Sequence, residues 1–269
     1  MNVPISIFIL DVSNSSTPNR GEELTVYLDE VVDWITYWTK DLGPIQIKHR
    51  AGDEIIFVGP GYSTAYTIAF FVSRVWKYKE HMPYFGLAFG DIDKEVKELD
   101  IEKWIHPLVK QARYANDLIK QEKNRMLFKF ELDQFYPNES KESFPYHKFR
   151  NEFETLINAL LYLQLKLIQS QTDIQKMVCT LFLVLKQQKE IAKILRKTAP
   201  TISSHFKKGN SEEILNTFSK IISILHSLQE KAYPDSAIHP QTTNENLTTR
   251  IRTHLQEPIH IHSFLSPSL

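Results

Sequence analysis

The first apolar run, VPISIFILDV at 3–12, is short and rich in β-branched side chains, which predicts a buried strand ending at Asp11. After a polar, turn-forming stretch at 13–20, apolar residues recur at spacings of three and four. Leu24, Tyr27, Leu28, Val31, Val32, Ile35 and Trp38 make the stripe of an amphipathic helix of about five turns. The segment IQIKHRAGDEIIFVG, 45–59, reads as two short strands joined by a tight turn at Gly52, Asp53 and Glu54, where Gly52 can take the positive φ that such a turn needs. A helix at about 63–78, a strand at 84–89, a helix at about 101–122 and a strand at 126–132 follow.

Pro, Ser and Asn gather between 133 and 146, a compositional boundary, and beyond it the periodicity is helical. Helices are predicted at 149–167, from a Thr172 cap to about Leu185, and at 211–231, where Ile214, Leu215, Phe218, Ile221, Ile222, Leu225 and Leu228 form one stripe. The predicted organisation is a sheet domain at 1–135, a linker at 136–147, a helical domain at 148–232 and a flexible tail at 233–269. The tail is rich in Pro, Ser, Thr and Asn. His239, His254, His260 and His262 lie in it without a cysteine or acidic cluster, and read as incidental rather than metal-binding.

The fold class expected is α+β. Strand, helix, strand, strand, helix, strand is the order of a split βαβ sheet of the ferredoxin-like or polymerase-palm kind. That topology runs the first two strands parallel, so Asp11 and the Asp53 turn share one end of the sheet. Converging carboxylates form a minimal holder for Mg²⁺ bound to nucleotide phosphates.

Composition bounds the rest. With 269 residues, 42% hydrophobic and 24% charged, the chain is expected to be an ordinary globular protein. It has no apolar run near 18 residues and no signal-peptide pattern, so the expected location is the cytoplasm, without a membrane partner. Cys179 is the only cysteine, which excludes an intrachain disulfide and a cysteine-clustered zinc site. Net charge is zero, so affinity for nucleic acid must come from a local concentration of charge.

That concentration lies in QKEIAKILRKTAPTISSHFKK, 188–208. Ile191, Ala192 and Leu195 share one face of a short helix, RKTA makes a turn, and Ile202 and Phe206 turn inward from a second helix begun near Pro200. This is the helix-turn-helix pattern, and it resembles the bacterial form QxEIAxxL…xxTISxxL. Between 186 and 208 seven basic residues face one acid. Thr201, Ser203, Ser204 and His205 are placed to reach base edges or phosphates, and Lys189, Lys197, Lys207 and Lys208 to neutralise the backbone of double-stranded DNA. Such proteins usually bind as dimers, so a homodimer is expected.

The chain also resembles a family as a whole. Asp11-Val12-Ser13-Asn14-Ser15 after a strand, AGDEI in the hairpin and FGLAFGDID in the later strand are similar to the nucleotide-cyclase and GGDEF-type palm superfamily. They look closer still to bacterial SatD-like proteins, in which such a palm precedes a helix-turn-helix; 104–124, with Pro107, Ala112, Arg113 and Ala115, is similar to the helix that follows there. The resemblance implies Asp11, Asp53 and Glu54 as metal-binding residues and Ser13, Ser15 and Gly52 as nucleotide contacts, with Mg²⁺ as cofactor. Two functions are then expected. The first is a DNA-binding transcriptional regulator whose palm senses a nucleotide or mediates assembly; the second is an active metal-dependent nucleotidyl cyclase or nucleotidyltransferase under the control of its DNA-binding part. Ala51 stands in place of the first glycine of the GGDEF signature, which ranks the regulator first.

Overall fold

In the computed structural model, residues 2–13, 21–50, 52–101, 103–132, 149–234, 236 and 239–265 are described. The first half runs β1 (Val3–Val12), α1 (Gly21–Thr39), β2 (Gln46–Arg50), β3 (Glu54–Pro60), α2 (Thr64–Val75), β4 (Pro83–Ile92), α3 (Pro107–Gln121) and β5 (Phe128–Phe130). The five strands form one sheet in the order β2-β3-β1-β4-β5, antiparallel throughout except for the β4–β5 pair. Because β3 lies antiparallel between β1 and β2, those two strands run the same way. The exit of β1 and the β2–β3 turn therefore occupy one end of the sheet.

Alternation along β1 supplies both faces with apolar side chains. Ile5, Ile7 and Ile9 pack with Leu108, Val109 and Ala112 of α3, whereas Phe8, Leu10 and Val12 join the cluster that includes Leu28 and Val31 of α1 and Tyr66 and Phe70 of α2. The close approach of α3 depends on Gly86. A Cβ there would stand 2.1 Å from the Ala112 carbonyl oxygen and 2.5 Å from the Asn116 nitrogen. α3 begins later than its apolar pattern predicts, because Pro107 disfavours helical backbone at His106; that residue is extended, and its ring accepts from the Leu108 N–H at 3.2 Å.

The second half is α4 (Arg150–Ser170), α5 (Asp173–Leu185), α6 (Gln188–Ile194), α7 (Ala199–Lys208), α8 (Ser211–Ala232), α9 (Pro240–Leu255) and α10 (Pro258–Leu265). Thr172 and Gln175 close a capping box at the start of α5. The apolar stripe of α8 turns inward, and Phe218 stacks on Phe70 of α2 with ring centroids 4.2 Å apart. Tyr66 of α2 reaches Gln164 of α4, which in turn donates to the Ile214 carbonyl of α8 at 2.9 Å. One hydrophobic core thus runs through both halves. The expected linker at 136–147 lies outside the described residues. Among the described residues, no helix is long and apolar enough to cross a membrane.

The expectation of a flexible tail at 233–269 is corrected. α9 buries Leu247, Ile251 and Leu255 at i, i+4 spacing. Polar ties reinforce that face: Trp38 donates to His254 at 3.0 Å, Arg252 to the Leu183 carbonyl at 3.1 Å, Gln256 to the Val184 carbonyl at 3.0 Å, and Thr67 to Asn244 at 2.6 Å. A polar helix with one narrow apolar edge is thus held against α1, α2, α5 and α8.

Candidate functional site

The end of the sheet where β1 leaves, β2 turns into β3, β4 starts and α3 finishes collects the acids singled out by the sequence. Gly52 takes φ +104 in the turn, as the tight hairpin requires, and its carbonyl oxygen lies 3.2 Å from His49 Nε2. Asp11 is 5% exposed and accepts from the Tyr84 hydroxyl at 2.9 Å, while its second oxygen pairs with the Lys120 ammonium. Burial pushes the Asp11 carboxyl up and the Asp53 charge adds to it, outweighing the Lys120 and Tyr84 hydrogen bonds that pull it down. Tyr84 is also pushed up, by burial first and by the Asp11 charge second, so it stays protonated and donates.

Glu54 faces elsewhere. Arg113 grips both of its oxygens, at 2.9 and 3.1 Å, and Arg50 donates to one of them at 3.1 Å. Ser13 continues β1, donating its N–H to the Met82 carbonyl at 3.0 Å while its own carbonyl lies 3.2 Å from His81 Nδ1. Ser15 lies outside the described residues. The structure thus brings Asp11 and Asp53 into electrostatic reach of each other, and pairs two of the three acids with cations, Asp11 with Lys120 and Glu54 with Arg113 and Arg50. Mg²⁺ needs free carboxylate oxygens; Lys120 already occupies Asp11 and the two arginines occupy Glu54, so of the three acids only Asp53 is without an ion pair among the described residues, and one acid alone does not fit a resident Mg²⁺. Only Arg113 of the three cations was in view from the sequence; Lys120 follows from the register of α3 on β4, which local pattern does not reveal.

The second candidate, α6 with α7, is built differently. α6 ends in a Schellman motif: Lys197 N–H donates to the Ala192 carbonyl at 2.9 Å and Arg196 N–H to the Lys193 carbonyl at 3.2 Å, with Arg196 left-handed at φ +50. Thr198 caps α7, accepting from the Thr201 N–H at 3.3 Å, and its hydroxyl lies 2.8 Å from that of Thr201. Ile191, Ala192, Ile202 and Phe206 are buried, with Phe206 against Phe182 of α5 at a ring separation of 4.5 Å. The opposite face is open. Lys189, Lys197, Ser204, Lys207 and Lys208 are exposed, Thr201, Ser203 and His205 half-buried. Lys193 pairs with Glu190, but Lys189, Lys197, Lys207 and Lys208 have no ion pair among the described residues. An open cleft of about 530 Å³ lies between the starts of the two helices, lined by Gln187, Gln188, Lys189, Ala199, Pro200 and Ser203.

Two further polar clusters were not legible in the sequence. At the far end of the sheet, Asp91 accepts from Tyr62 at 2.8 Å and Tyr233 at 2.6 Å, and burial pushes its carboxyl up; nearby, Ser63 Oγ and His226 Nε2 meet at 3.0 Å, both buried, with burial holding the imidazole neutral. These contacts tie α2 and β4 to α8. Across the α9–α10 junction, His254, Glu257 and His260 bring ligand atoms within 4.8 Å of one another, the tail histidines expected to be incidental. The Trp38 indole N–H can only donate, so His254 Nδ1 is unprotonated and its proton sits on Nε2, 3.2 Å from His260 Nε2. Burial holds both rings neutral. A hydrogen-bond relay from Trp38 to His260 accounts for the arrangement without an ion.

No protein-family model and no curated protein matches the sequence.

Proposed function

We propose that the chain is a DNA-binding transcriptional regulator, with α6 and α7 as its helix-turn-helix and the sheet half as a ferredoxin-like palm of the nucleotide-cyclase kind, as in SatD-like proteins. The observation that carries this reading is the asymmetry of α7: its inner edge is buried on α5 and α8, while its outer edge is exposed and bears Lys207 and Lys208, which have no ion pair among the described residues. In a chain of zero net charge, cations left unpaired on one helix face fit the phosphates of a duplex. Ser204 and His205 then lie where base edges come within reach, Lys189 lines the cleft at the helix starts, and Lys197 stands in the turn before α7. The palm serves assembly or nucleotide sensing. A metal-dependent cyclase is not favoured, because two of the three acids it would need, Asp11 and Glu54, already hold Lys120, Arg113 and Arg50.

Fluorescence anisotropy with a labelled duplex, taken across a salt series, tests the reading. Lys207→Ala with Lys208→Ala should weaken binding to every sequence and flatten the log–log salt slope by up to about two units. An unchanged slope removes α7 from the interface.

A further inference from the structure

α4 is apolar on more than the side it needs. Its core-facing residues, Ile157, Leu161, Leu165 and Ile168 among them, are buried under the sheet half and α8. A second stripe, Phe149, Phe153, Leu156, Leu160, Leu163 and Leu167, alternates spacings of four and three without interruption. Phe149, Leu156 and Leu163 are 55%, 62% and 60% exposed, and the other three are half-buried. A helix with one face in its own core needs only one stripe. A repeat averaging 3.5 residues fits the seam of two supercoiled helices, in which Phe149, at the N-cap of α4, Leu156 and Leu163 take the d positions, and Phe153, Leu160 and Leu167, which also rest on the edge of the chain's own core, take the a positions.

We propose that this seam is a homodimer interface in which α4 pairs antiparallel with α4 of a second copy. Two features select a second copy in that orientation. In an antiparallel seam each a residue faces a d residue, and one register sets Phe149 against Leu167, Phe153 against Leu163 and Leu156 against Leu160, so every large ring meets a leucine and no layer is left unfilled. In the same register the residues flanking the seam on its open side pair Glu152 with Lys166 of the partner copy twice about the two-fold axis, and bring the small Ala159 against its own symmetry mate. All three are exposed. A parallel pair would instead set Glu152 and Lys166 beside positions on the core side of the partner helix, with no opposite charge to meet. The contact is isologous and therefore closes at two chains. It stands whether or not the chain binds DNA.

The test uses the full chain in sedimentation velocity, with circular dichroism as a check on folding. The parent should be a dimer at micromolar concentration, and Leu156→Glu should weaken self-association by about 30-fold or more. If that variant fails to fold, the exposed flank decides: Glu152→Lys and Lys166→Glu should each weaken the dimer most at low salt, and the two together should restore it. Ala159→Cys should form a disulfide-linked dimer under mild oxidation, since the native Cys179 is buried, whereas Glu152→Cys and Lys166→Cys, each remote from its own symmetry mate, should not. A parent that stays monomeric, a dimer untouched by the charge changes, capture of a different protein by a monomeric chain, or cross-linking at 152 or 166 rather than 159 would each overturn the proposal.

Discussion

The end of the sheet and the outer face of the α6–α7 pair both gather charged groups and treat them in opposite ways. At the sheet end Asp11 and Glu54 are matched within the chain by Lys120, Arg113 and Arg50; on the helical pair Lys189, Lys197, Lys207 and Lys208 are exposed and have no ion pair among the described residues. Charges buried beside apolar strands must be compensated where they stand, because desolvation otherwise penalises the ionised form. Exposed lysines carry no such cost and remain available to a polyanion. The first arrangement therefore reads as one that holds the fold together, and the second as one that waits for a partner.

Removing a cation at each place should give the largest contrast. Lys120→Met leaves Asp11 in a low-dielectric setting with only Tyr84, and because Lys120 itself is partly exposed the expected loss is about 1–3 kcal/mol rather than that of a fully buried pair. Lys208→Ala should change stability by no more than about 0.5 kcal/mol. Urea unfolding with an unchanged m-value measures both. Adding Asp11→Asn to Lys120→Met should recover most of the loss; equal effects of Lys120→Met and Lys208→Ala would erase the distinction.

A smaller effect sharpens it through pH. The folded Asp11 carboxyl lies above its ordinary 3.8, so the folded state binds that proton more tightly than the unfolded one. Its contribution to stability is fully present below 3.8 and is lost as pH rises through the raised value. Asp11→Asn should therefore lose less stability than the parent between pH 4 and pH 7, and Asp53→Asn, which removes one of the charges raising Asp11, should be at least as stable as the parent at neutral pH. Lys208→Ala should move the whole curve without changing its shape. If Asp11→Asn follows the parent curve, the carboxyl is not under strain.

The same contrast marks what the sequence makes legible. β1, α1, α2 and α8 follow from local periodicity, since each buries a face dense in large apolar residues, and so does the pairing of α6 with α7, whose signal is confined to some twenty residues. The shared end of Asp11 and Asp53 follows from strand order alone. Lys120 on Asp11 does not, because it depends on where Gly86 lets α3 settle. α9 is hidden for a related reason: Leu247, Ile251 and Leu255 are too sparse to announce a buried helix, and Trp38, the residue that fixes His254, lies far away in the chain. The apolar residues of α4 predict a helix but do not separate its two stripes; only the burial of Ile157, Leu161 and Leu165 sets the other stripe apart.

A small effect is also expected at Arg196, where the two regions' logic meets in one residue. The Schellman turn needs a left-handed residue after α6, and Arg196 adopts φ +50 to supply it. A side chain there costs about 1–2 kcal/mol relative to right-handed backbone, while glycine gives back part of the gain through its freedom in the unfolded chain, so Arg196→Gly should stabilise by about 0.5–1 kcal/mol. That is a rise of roughly 1–2 °C in Tm for a chain of this size. The substitution also removes a cation from the proposed DNA face. Arg196→Asn separates the two effects: asparagine tolerates the left-handed region and removes the same charge. If Arg196 touches a phosphate, both variants should lower the salt slope by about 0.9, and if it serves only the turn, both should bind as the parent does while melting higher. A glycine variant no more stable than the parent would mean that this turn is not held in solution. The spacing of α6 and α7, on which the DNA-binding reading depends, would then have lost its physical basis.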